Sequence, residues 1–327
     1  MINLSNLSPD EIDDRDYIYQ VRHDVKLPLH VDLRNYYPVI ENQLQIGSCT
    51  AESTCESCQM FCHSEKSKIF NYYTSRKLLG LTGDSGSTLR SAVKSANKFG
   101  IPDENLWPYD TTKIDTEPPD FVYQNALKSR ITEYHRILTL DAEKPEIDYQ
   151  VRFALAEGYP VLISAKVGIQ LENLQSGMIY SPLSTPGNTY WGNHAMLIVG
   201  YNYQAPFYYI VKNSWGPQWC ENGYFRASVS MITDDVQDLW VVKGFGLVTK
   251  VGPDQTIKPP KPSSVSIKMF IDGHQNDPQV IIDSANLYEI NATDIETALG
   301  KEKGWLKNYS INDNIGKTLN WVGFDWS

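Results

Sequence analysis

A chain of 327 residues can hold one large domain with an appendage, or two lobes around a cleft. Hydrophobic residues at 41% and charged residues at 21% match ordinary globular usage and exclude wholesale disorder or a fibrous repeat. A net charge of −10 repels phosphate backbones and anionic lipid surfaces, and the opening MINLSNLSPDEIDDRDYIY lacks a signal-peptide pattern, so neither nucleic acid nor membrane is an expected partner.

Residues 1–28 are acidic and polar, end at Leu27-Pro28, and read as an N-terminal leader. A strand-like VDLR follows, then the turn-rich NYYPVIENQLQIGS. Gly47 and Ser48 supply a loop end and a cap-like residue before CTAESTCESCQMFC, whose small and apolar positions predict a buried helix with Cys49 in its first turn. Cys55, Cys58 and Cys62 share one stripe of that helix. Three thiols on one helix are poorly disposed around a tetrahedral ion, so the stripe is read as buried packing, with no metal and no cofactor. The total of five cysteines leaves at least one unpaired, and with too few pairs for a disulfide scaffold a reducing compartment, cytoplasmic or virion-associated, is favoured over classical secretion.

Leu89, Val93, Ala96 and Phe99 in SGSTLRSAVKSANKFG recur at helical spacing until Gly100 and Pro102 stop them. Residues 103–120 read as loop. VRFALAEGYPVLISAKV reads as a short helix, a turn and a buried strand; HAMLIVGYN, FYYIVKNSW and GYFRASVS are strands. Helices early and strands late predict an α+β fold of two differently built lobes with the site in the cleft between them. The catalytic domain is placed at 29–252 and a Pro-rich linker at 253–264. A small appendage at 265–327 is expected to dock through Trp305, Trp321 or Trp326.

A cysteine attacks as thiolate, and a helix N-terminus stabilises that charge. Alone, Cys49 could be a structural thiol; its neighbours change that. Gln43, before a glycine-containing turn, can bring its amide to a developing oxyanion together with the Cys49 N–H. His194 opens an apolar strand, a rigid mount for an imidazole. Asn213 ends the next strand, where its amide oxygen can fix the tautomer. Trp215 can roof that pair.

NQLQIGSCTA, GNHAMLIVGY and VKNSWGPQWCENGYFR resemble, in the same order, the three active-site blocks of the papain/cathepsin family of cysteine peptidases. His194 and Asn213 follow Cys49 by 145 and 164 residues, so only the asparagine runs slightly long for that family. The resemblance extends over about residues 29–250 and is nearest to GSCTA-type members of microbes and large viruses. It implies a Cys49/His194/Asn213 triad, Gln43 in the oxyanion hole, Ser85-Gly86 and Asn193 against the substrate, and Trp215 beside the primed side. The implied reaction is endopeptidase cleavage of protein or peptide substrates through a thioester. A transferase or amidase using the same acyl-enzyme, or a weakly active binding protein on the same fold, are the alternatives. Ile46 removes a family disulfide cysteine, Thr50 replaces the aromatic after the nucleophile, and Cys220 replaces a glycine. The leader is expected to act as an intramolecular inhibitor, with Tyr17, Ile18 and Tyr19 filling the cleft and cleavage near Lys26–His30.

Overall fold

A computed structural model describes residues 7–246, apart from 12, 63 and 138–141, and three short strands beyond them. The chain divides into two units, Met1–Val251 and Gly252–Ser327. In the first, β1 (His30–Asp32) precedes helices α1 (Cys49–Cys62), α2 (Lys68–Leu79), α3 (Leu89–Lys98) and α4 (Asp120–Ala126). Then come β2 (Arg130–Arg136), α5 (Lys144–Ala156), β3 (Val161–Gly168), β4 (Ile179–Tyr180), β5 (Tyr190–Asn202), β6 (Tyr208–Lys212), β7 (Tyr224–Ala227), α6 (Val229–Asp234) and β8 (Val236–Gly246). In the second unit β9 (Val265–Lys268) lies between β10 (Gln279–Ile282) and β11 (Phe324–Asp325) in a small antiparallel sheet. Trp305, Trp321 and Trp326, expected to dock the appendage, lie outside the described residues.

Local chemistry sets the helix ends. Ser67 caps α2 by accepting the Phe70 N–H, and Gly80, at φ +69°, closes it in a left-handed conformation that glycine adopts without strain. Thr88 and Ser91 form a reciprocal capping box at the start of α3. The eight-stranded sheet runs β2-β8-β3-β5-β6-β7-β4 with β1 added to β5; all its pairings are antiparallel except β4 with β7. Gly200 in β5 lets β1 approach closely, because a Cβ there would lie 2.3 Å from the Val31 carbonyl oxygen. An α+β fold of helical lobe and sheet lobe is what the helices-then-strands order predicts.

Helix α1 is the shared wall. Its Ala51 packs into an apolar cluster with Ile69, Phe70, Phe99, Trp107 and Val122, while Cys55 and Cys58 belong to the larger core built on the sheet. All five cysteines are free, Cys55 and Cys58 fully buried and Cys62 partly so. Among the described residues no group of three or more His, Cys, Asp or Glu could hold a metal ion, and no helix is long and apolar enough to cross a membrane.

The leader corrects one expectation. Tyr17 is 75% exposed, and Ile18 and Tyr19 lie along the edge strand β2 rather than in the cleft. The unpaired edge offers backbone partners: Tyr19 N–H donates to the Arg136 carbonyl, Arg136 N–H donates to the Tyr17 carbonyl, and the Tyr19 hydroxyl reaches Glu157 at 2.5 Å. Upstream, Asp10 accepts the Arg90 N–H at 3.0 Å and the Trp240 indole N–H at 2.8 Å, while its own N–H donates to Asp238. Asp16 pairs with Arg90 and Arg136, and Arg136 also bonds Asp238 at 2.8 Å. Both guanidiniums lie over the Trp240 ring. Burial, then the neighbouring Asp10 charge, pushes the Asp238 carboxyl above the ordinary range.

Removing one partner of a buried ionic cluster leaves the rest desolvated and unpaired. Arg136→Ala should therefore destabilise the protein by about 3 kcal/mol in urea unfolding. Arg15→Ala, removing an 88% exposed side chain, should leave the midpoint unmoved. Equal midpoints for the two variants would show that the cluster contributes nothing net.

Candidate active site

Cys49 is the first residue of α1 and only 2% exposed. Burial pushes its thiol up to about 12; the Ala195 and Thr50 N–H groups, directed at the sulfur, oppose that rise. Ala195 follows His194 on β5, so the sulfur lies against the strand that carries the imidazole. Gln43, fully buried, is tied at four points. Its N–H donates to the Ser214 carbonyl, its carbonyl accepts from the Tyr109 hydroxyl, its side-chain Nε2 donates to the Ile46 carbonyl, and its Oε1 accepts from Ser214 Oγ at 2.6 Å.

His194 is held opposite Ala165 in the pairing of β5 with β3, deep in the sheet. Asn213 leaves the end of β6 and donates its N–H to the Gly223 carbonyl. Its Oδ1 is 2.8 Å from His194 Nε2 and also accepts the Ser214 N–H. An acceptor-only oxygen at Nε2 puts the neutral ring's proton there and leaves Nδ1 as its acceptor. Nδ1 is buried with no protein hydrogen-bond partner. Trp215 stacks on the imidazole at 5.0 Å, with Trp191 and Trp219 edge-on to Trp215. Burial lowers the imidazole to about 4, opposed by the Asn213 hydrogen bond. Burial, acting on each alone, thus favours the neutral thiol and the neutral imidazole.

The profile of the papain family cysteine protease matches residues 27–236. The chain belongs to the papain family. It is 29% identical over 253 residues, 73% of this chain and 77% of the relative, to an uncharacterized peptidase C1-like protein of Acanthamoeba polyphaga mimivirus. A cathepsin L-like proteinase of Fasciola hepatica is 26% identical over 61% of this chain and 60% of its own length. Among solved structures, xylellain, a cysteine protease from Xylella fastidiosa, superposes with a TM-score of 0.65 at 28% identity, covering 76% of this chain and 99% of that one. The protein is a papain-like cysteine peptidase.

The remaining papain-family positions differ in what they do. Asn193 donates to the Leu7 carbonyl at 3.0 Å, so the leader touches the residue before His194. Gly86 donates its N–H to the Tyr72 hydroxyl at 3.1 Å, and the Ser85 hydroxyl donates to the Gly86 carbonyl. Thr50, in place of the family aromatic, bonds Ser87 beside that loop. Cys220 takes a positive φ of 44°, a conformation that glycine adopts more readily than other residues. Sequence reasoning missed Ser214, Tyr109 and Glu52. For Glu52 the signal was present, an acid three residues after the nucleophile in a helix predicted to be buried.

If dryness under Trp215 is what depresses the imidazole, admitting water should raise it. Trp215→Ala should move the His194 titration, followed by NMR, up from about 4 toward the free imidazole value of about 6.5. A titration that stays put would overturn burial as the cause.

Proposed function

We propose that the protein is an endopeptidase that cleaves peptide bonds through a thioester on Cys49. The observation that carries the reading is the His194 ring, bonded through Nε2 to Asn213 and left with a bare buried Nδ1 while the Cys49 sulfur lies against the next residue's N–H. In this mechanism Nδ1 takes the thiol proton and the sulfur attacks the carbonyl carbon. The oxyanion is met by the Cys49 N–H and the Gln43 side chain. The C–N bond then breaks as His194 returns the proton to the amine, and water, deprotonated by His194, releases the acid. Asn213 keeps the ring in one tautomer throughout.

The leader is read as an intramolecular inhibitor on the same site. Its support is the Leu7 carbonyl held by Asn193 and the burial of both Cys49 and His194. Cleavage near Lys26–His30 would also discard Asp10 and Asp16, which satisfy Arg90 and Arg136, so release upstream of Asp10 costs less stability. Five free thiols favour a reducing setting, in a cytoplasm or a virion. Residues 253–264 are read as a linker and 265–327 as an appendage to the catalytic domain.

Cys49→Ala should abolish hydrolysis of fluorogenic peptides and labelling by a thiol-directed epoxide while leaving the fold intact. Asn213→Ala should retain more activity, since it loosens the ring without deleting a proton carrier. Substantial turnover by purified Cys49→Ala would refute the assignment. For the leader, a chain beginning at Pro9 should hydrolyse small peptides faster than the full chain and lose only the stability that the buried Leu7 supplies; one beginning at Leu29 should be faster too, but less stable still. Equal initial rates for all three, each folded, would count against inhibition.

A further inference from the structure

Glu52 sits in the first turn of α1, 2% exposed, where an ionised carboxylate needs a cation or several donors. It has no cation in contact, and only the hydroxyls of Ser48 and Tyr109 stand beside it. Oε2 has no partner, and Oε1 lies 3.4 Å from Ser48 Oγ, at the long end of a hydrogen bond. The charged and titratable groups around it are Lys68 from α2, Glu56 from α1, Glu41 and Glu104 from loops, and Tyr109, with Lys68 itself 2.7 Å from Glu41. Burial raises the Glu52 carboxyl well above its ordinary range and so favours its protonated form.

Counting protons gives the neighbouring hydrogen bonds a direction. The Tyr109 hydroxyl has one proton and donates it to the Gln43 carbonyl at 3.0 Å. The 2.7 Å contact between Tyr109 and Ser48 must therefore use the serine proton. With that proton spent, a protonated Glu52 serves the 3.4 Å contact with Ser48 by donating its own. The chain runs from Glu52 through Ser48 and Tyr109 to the Gln43 carbonyl. An ionised Glu52 would instead accept from Ser48, draw the Tyr109 proton toward Ser48, and free Gln43.

The two ends of this chain bracket the oxyanion loop. Ser48 immediately precedes Cys49, whose N–H is one donor, and Gln43 carries the other. A single hydroxyl, Tyr109, touches both Gln43 and Ser48, while the Tyr109 N–H is anchored on Glu104 at 2.6 Å. We propose that Glu52, Ser48 and Tyr109 are positioning residues that hold the two oxyanion donors at their working separation. This rests on the reading of Gln43 and Cys49 as the oxyanion hole.

The test uses the full chain with Tyr109→Phe, Glu52→Ala and Glu52→Gln. Three quantities are measured: kcat and KM for a fluorogenic peptide amide, affinity for a peptide aldehyde, and the alkylation rate by iodoacetamide, which forms no tetrahedral oxyanion. Tyr109→Phe should lower kcat about tenfold and weaken the aldehyde in parallel, with KM and alkylation within about twofold of wild type. Glu52→Gln keeps a donor toward Ser48 and should recover most of the kcat lost in Glu52→Ala, which keeps the proposal falsifiable if Tyr109→Phe does not fold. Unchanged kcat in Tyr109→Phe, a parallel fall in alkylation, or equal losses in the two Glu52 variants would overturn it while leaving the peptidase reading intact. Wild-type protein inert to both peptide and iodoacetamide, as the full chain and as the chain beginning at Pro9, would overturn the peptidase reading and this proposal together.

Discussion

Water reaches almost none of α1 from Cys49 to Gln59, although that stretch is built from serine, threonine, glutamate and cysteine as much as from carbon-rich side chains. A buried polar helix must pair its polar atoms within the protein. Ser53 and Ser57 bond back to carbonyls of their own helix, and Glu56 pairs with Lys212 at the end of β6. That ion pair joins the helical lobe to the strand from which Asn213 departs. Small residues let both lobes close on the helix, and the same closeness brings the Cys49 sulfur to β5.

Burial also bears on the charge state of the pair. Neither the thiolate nor the imidazolium is favoured when each is desolvated alone. Each ion would be the other's best partner once formed, since attraction across a dry gap is strong. The helix N-terminus and the Ala195 N–H bias that balance toward the thiolate.

Much of this was legible in the sequence, because motifs and caps are local. The Gly47-Ser48-Cys49 start of α1, the Thr88 start of α3 and the β5 and β6 strands follow from adjacent residues. Helix α2 was not read, because it buries Lys68, Asn71, Thr74 and Arg76 and so shows no clean apolar stripe. Strands β2 and β8 escaped for a related reason: their bulged pairing with each other is a long-range fact. Tyr17, Ile18 and Tyr19 looked like pocket fillers because their aromatic character is visible, whereas the waiting edge of β2 is not. Gln43, His194 and Asn213 were readable by motif; that Ser214 and Tyr109 hold Gln43 from two sides was not, since Tyr109 lies 66 positions away in sequence.

The leader's partners carry a consequence for how the chain is made. Asp10 bonds residues 228 and 230 positions later, at Asp238 and Trp240. The segment around Asp10 is made long before β8 and waits for that strand before it can lock, and loop closure on that scale is slow compared with helix formation. Through that interval the nascent chain keeps an acidic strap free and an edge strand bare. The contacts of Asp10 are therefore complete only when β8 is in place.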